Sequence, residues 1–135
     1  MKTHPFLRAY MAGIVVPTVA LLFGATAFVI ARYVYNVPIP IERVIMFPMA
    51  VVPNLWGVWN MLHLAIGGDR RWPIGAHGAL LPLILIPLGW LLARVFAIDA
   101  ITPPLVAVFA PLAMAVYYLA WKHLVGYFNA VLGIA

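Results

Sequence analysis

The chain has 135 residues, 67% hydrophobic and 8% charged, and eight Lys/Arg against three Asp/Glu give it a net charge of +5. That balance lies far from a water-soluble domain, and the brief stretches between apolar runs leave no length for a separate catalytic domain. The basic residues fall at the ends of apolar runs rather than on one soluble face, which excludes a nucleic-acid interface. It suits side chains that set topology and reach lipid headgroups. Cys, Ser and Gln are absent, so no disulfide forms and neither serine-type intramembrane proteolysis nor thiol chemistry has a nucleophile.

Four apolar runs, 10–34, 44–66, 79–98 and 105–124, are each about 20 residues or longer, the length that carries an α-helix across ~30 Å of hydrocarbon. The expected fold is all-α: one transmembrane domain over 1–135, an up-down bundle of four helices joined by linkers 36–43, 67–78 and 99–104.

The first run follows Lys2 and Arg8 and contains Ala25-Thr26-Ala27, which resembles a signal-peptide cleavage site. Its apolar character continues to Val34, so the span is expected to remain uncleaved. Ala20, Gly24, Ala27 and Ala31, spaced four, three and four, form a smooth seam that lets helices approach closely, within the bundle or between subunits.

The second run concentrates polar and aromatic side chains. Helical spacing puts Pro53, Trp56, Asn60 and His63 on one stripe, with Trp59 nearby and Asn54 on another face. Amides in hydrocarbon need partners, so Asn54 and Asn60 are expected to face protein or water. The stripe Asn54, Trp56, Asn60 and His63 is therefore the candidate site, for helix contact or for a polar path.

The third run carries Trp90 and closes on Arg94; the fourth ends near Lys122 and His123. Glu42 and Asp99 are the acids placed to pair with Arg32 and Arg94. Residues 124–135 are too short to cross again and are read as prolonging the fourth helix. Five of twelve prolines, Pro17, Pro48, Pro53, Pro87 and Pro111, fall inside spans and are expected to kink them. They free the carbonyls of Gly13, Val44, Met49, Leu83 and Ala107, for which Thr18, Thr26 and Asn54 are the intramembrane donors.

The halves also show a weak correspondence. Gly13-Ile14-Val15-Val16-Pro17 parallels Gly78-Ala79-Leu80-Leu81-Pro82, and Ala31-Arg32 parallels Ala93-Arg94. A tandem repeat of two helical hairpins and a chance likeness of apolar helices both account for it. With four spans, five Lys/Arg (Lys2, Arg8, Arg70, Arg71, Lys122) lie on one side and three (Arg32, Arg43, Arg94) on the other, which favours cytoplasmic termini.

No nucleophile, carboxylate pair or metal-ligand cluster lies within a span, so no enzymatic activity is expected. The reading is a structural or accessory membrane subunit, contacting the bilayer and either its own copies or other membrane subunits. A small-solute channel or transporter lined by the second helix is the alternative; no acid lies inside a span, leaving only His63 and His123 to couple protons. A second alternative is haem or quinone binding, with His63 and His123 as haem ligands near the ends of parallel helices and Trp56, Trp59, Trp121 and Tyr118 as walls. Otherwise no cofactor or metal is expected, and His4 and His77, placed in a tail and a loop, carry no assigned chemistry.

Overall fold

A computed structural model describes residues 4–38, 40, 47–99 and 102–134. The described chain is helical throughout, without strands. Helix α1 is Pro5–Tyr33. A π turn, Phe47–Val51, leads into α2, Val52–Ala65. Helix α3 runs over Ile74–Val95 and α4 over Pro103–Val131. Helices α1, α3 and α4 are long and apolar enough to cross a bilayer, with mean hydropathies of 2.4, 1.9 and 1.7.

The third helix begins five residues before the expected start. Pro73 precedes it with φ already near the helical value, and Asp69 Oδ1 accepts the Ile74 N–H at 2.9 Å, so a polar-looking linker is in fact the first turns of α3. His77 therefore lies on a helix rather than in a loop. The helix is interrupted between Ala79 and Pro82, because Pro82 has no N–H for the Gly78 carbonyl. Leu81 N takes that carbonyl at 3.1 Å in a tighter turn.

The other prolines behave differently. Helix continues through Pro17, Pro87 and Pro111, while Pro53 falls in the first turn of α2, where its missing N–H costs least, and Pro48 lies in the π turn. Thr18 and Thr26 donate to Ile14 and Leu22 of their own helix rather than to a carbonyl freed by proline. The Val44 carbonyl, Lys2, Glu42 and Arg43 lie outside the described residues.

Helix α4 does absorb the apolar C-terminal stretch, passing through a π turn at Trp121–Val125 into Gly126–Val131. Helices α1 and α3 are both followed by a left-handed residue, but one position apart in register: Val37 N bonds Ala31 O, six residues back, past Asn36 (φ 54°), and Ile98 N bonds Ala93 O, five residues back, past Ala97 (φ 53°). The two Ala-Arg dipeptides each immediately precede the last residue of their helix, Tyr33 and Val95.

Packing is concentrated at glycines. Helices α1 and α2 cross where Gly13 meets Gly57; a methyl on Gly13 would stand 2.5 Å from the Trp56 carbonyl oxygen and 2.9 Å from Gly57 Cα. With Ala9 and Pro17, Gly13 forms a buried row at steps of four along α1. Gly78 of α3 lies directly against the Trp121 side chain of α4. Around this point Trp56, Ile74, Leu81, Leu85, Trp121 and Val125 make the apolar core. By contrast, the expected seam is open: Ala20 and Ala27 are exposed, and nothing described comes within 4 Å of a Cβ placed on Gly24.

Candidate functional site

The start of α1, the end of α2, the start of α3 and the end of α4 meet at one end of the molecule, and buried polar groups collect there. Asn60 of α2 is fully buried. Its Nδ2 donates to Ala9 O of α1 at 2.7 Å and to Asn129 Oδ1 of α4 at 2.7 Å, and Asn129 Nδ2 returns a bond to Asn60 Oδ1 at 3.1 Å. Both Asn60 amide hydrogens are thereby committed, and three helices are tied through one side chain. Arg8 adds a rim contact, donating to Leu132 O at 3.3 Å where α4 ends.

One turn further along α2, His63 (4% exposed) faces the loop between α2 and α3. Its Nε2 lies 2.9 Å from Trp72 O and 3.7 Å from Asp69 Oδ1. Because a carbonyl only accepts, Nε2 carries the proton and Nδ1 is left with a lone pair in the neutral ring. Asp69 thus caps α3 and faces His63 through the same oxygen.

His77 is the functional-looking residue that sequence reasoning missed. It is buried, with Nε2 donating to Trp59 O at 2.9 Å, while Trp59 Nε1 donates to His77 O at 2.8 Å. The two rings stack, with centroids 4.7 Å apart and an interplanar angle of 22°. This reciprocal clamp joins α2 to α3, and the His77 ring also lies 4.9 Å from that of His63. The available signals were Pro73 as a helix start and the Gly75/Gly78 spacing, which brings this turn against α4. Asn129 was missed too; an amide in an otherwise apolar terminal run was its signal.

The expected stripe divides. Asn60 and His63 enter the polar cluster, whereas Trp56 turns into the apolar core against Tyr117 and Trp121, at centroid distances of 4.9 and 5.3 Å. Asn54 is exposed; it accepts a hydrogen bond from Tyr10 and donates to Ala50 O of its own helix. His123 is exposed, and the imidazole that stands beside that of His63 is His77. Among the described residues no three His, Cys, Asp or Glu gather closely enough to hold a metal ion.

Beside the cluster lies a cavity of about 350 Å³. Asn60, Asn129 and His63 form its buried floor, Asp69 and Arg70 stand exposed on its rim, and Gly67 and Gly68 form the intervening wall. Both glycines have positive φ, 108° and 61°, which turns the chain sharply around the opening. At the far end, Arg94 lies over the Trp90 ring, 5.1 Å from its centroid, and makes no ion pair with Asp99. Tryptophan, rather than the expected acid, is the neighbour of that arginine.

No protein-family model, curated protein or solved structure matches this chain.

Proposed function

We propose that the chain is a non-enzymatic integral membrane protein: a four-span up-down bundle, cytoplasmic at both termini, acting as a structural or accessory subunit. One observation carries the reading. Asn54, Asn60 and His63, the polar side chains of the second helix, all find hydrogen-bond partners within the chain, and Trp56 closes the stripe between them with aromatic packing. A solute path would draw on polar groups free to meet the solute, and engagement of these groups within the chain supports the structural reading instead. Buried amide pairing of this kind serves helix association in lipid, at roughly 0.6 kcal/mol per bond and seldom above 1.7. Among the described residues nothing packs on Gly24 of the small-residue seam of α1, and we assign that surface to a second copy or another membrane subunit.

The absence of cysteine makes the topology directly testable by single-cysteine labelling. His4→Cys, Arg71→Cys and Gly133→Cys are expected to react from the cytoplasmic side, and Asn36→Cys and Asp99→Cys only from the other. For function, mass and absorbance are measured together after purification in mild detergent, beside solute flux in proteoliposomes. Self-association or a co-purifying membrane subunit, without flux, is expected. Flux abolished by Asn60→Leu in an intact assembly would establish the channel instead. A Soret band lost in His63→Ala would establish haem binding.

A further inference from the structure

We propose that the cavity at the polar end holds a phosphodiester bearing a primary ammonium, the chemistry of a phosphatidylethanolamine headgroup. The inference rests on the membrane reading above, which puts this end of the helices at the lipid–water boundary. The cavity, about 350 Å³, suits a compact polar group rather than a whole lipid.

Its rim carries two adjacent opposite charges. Among the described residues Arg70 has no ion-pair partner, and its guanidinium offers five donors in a fork that matches phosphate oxygens. Asp69 meets both Ile74 N–H and His63 through Oδ1, so Oδ2 remains for a ligand ammonium; its side chain is 59% exposed.

The floor is also incomplete. Asn129 donates one N–H to Asn60 and keeps the other, and its side chain lines the cavity. An unused amide hydrogen in a buried wall calls for an acceptor, which a phosphate oxygen supplies. Ala9, Leu64 and Ile134 give apolar wall beside these polar groups, matching the methylenes of the ligand.

The charges discriminate among headgroups. A headgroup with phosphate alone meets the Asp69 carboxylate as a like charge. A choline headgroup carries a cation without an N–H and forfeits the hydrogen bond to Oδ2. An ethanolamine headgroup satisfies both rim residues at once.

The test counts lipid retained per chain by native mass spectrometry, from detergent containing equal phosphatidylethanolamine, phosphatidylcholine and phosphatidylglycerol. Wild type is expected to keep one phosphatidylethanolamine with about tenfold preference, the scale of one charge-assisted hydrogen bond. Arg70→Gln is expected to lose that retention about tenfold. Asp69→Asn, which keeps an oxygen for Ile74 N–H, is expected to lose the preference over phosphatidylcholine while still holding lipid. Unchanged thermal unfolding of both variants assigns these losses to the rim rather than to misfolding. Equal retention of the three lipids by wild type, or unchanged retention in Arg70→Gln, overturns the proposal. Displacement by glycerophosphoethanolamine assigns the site to the free headgroup compound, and persistence assigns it to the lipid. Alkaline carbonate extraction reads the membrane assignment separately: release of the chain defeats that reading whatever the lipid count.

Discussion

The two ends of this molecule draw on the same residue types and use them differently. At the polar end, Gly13 meets Gly57, Gly78 meets Trp121, and Asn60 ties α1 to α4. Toward the other end, no described residue comes within 4 Å of a Cβ placed on Gly24, Phe23 and Val29 are exposed, and Arg94 lies on a tryptophan of its own helix. A small residue allows close approach only where a neighbouring helix presents itself. What separates the ends is the partner, not the motif.

The contrast is sharpest in a pair of glycine substitutions. Gly13→Ala is expected to lower stability by about 1–3 kcal/mol, because the methyl runs into the backbone of α2. Gly24→Ala, on the same helix, meets nothing and is expected to leave the chain's own stability unchanged or slightly raised. Reversible unfolding in mixed detergent micelles reads both. Equal losses would mean that α1 is gripped along its whole length, which would break the comparison.

Asn60→Leu comes next. It leaves the Asn129 amide without its partner and takes from the Ala9 carbonyl the bond it accepts beyond its own helix, a cost of about 1–3 kcal/mol. Adding Asn129→Leu removes that unpaired amide and is expected to recover part of the loss in the same assay. Trp59→Phe is smaller: the stack on His77 survives and one hydrogen bond goes, about 0.5–1.5 kcal/mol. The smallest effect belongs to the far end. Ala97→Gly relieves a left-handed backbone and is expected to stabilise by roughly 1 kcal/mol or less.

Much of the fold was legible because hydrocarbon-length apolar runs have few alternative uses, and Asn60 and His63 were legible because amides and imidazoles in such runs need partners. His77 was not, since Gly-Asp-Arg-Arg-Trp-Pro before it reads as linker; the cap from Asp69 to Ile74 that extends the helix backward is a tertiary bond. The small-residue seam misled for the opposite reason. Its steps of four, three and four are as helical as the steps of four from Ala9 through Gly13 to Pro17, and nothing local says which row meets a helix. Pro82 interrupts α3, while Pro17, Pro87 and Pro111 are carried within continuous helix, a difference that residue type alone does not signal. The pairing of Asn60 with Asn129 joins positions 69 residues apart, beyond the reach of any periodicity.

That separation also orders events at the ribosome. Helices α1 and α2 can form the contact of Gly13 with Gly57 and the bond from Asn60 to Ala9 once both have emerged, whereas the bonds between Asn60 and Asn129 must wait for a residue made 69 positions later. At ordinary synthesis speeds of about 5–20 residues per second, the delay is roughly 3–14 seconds. During that interval the Asn60 side-chain carbonyl oxygen and one of its amide hydrogens lack the Asn129 partner they have in the finished fold.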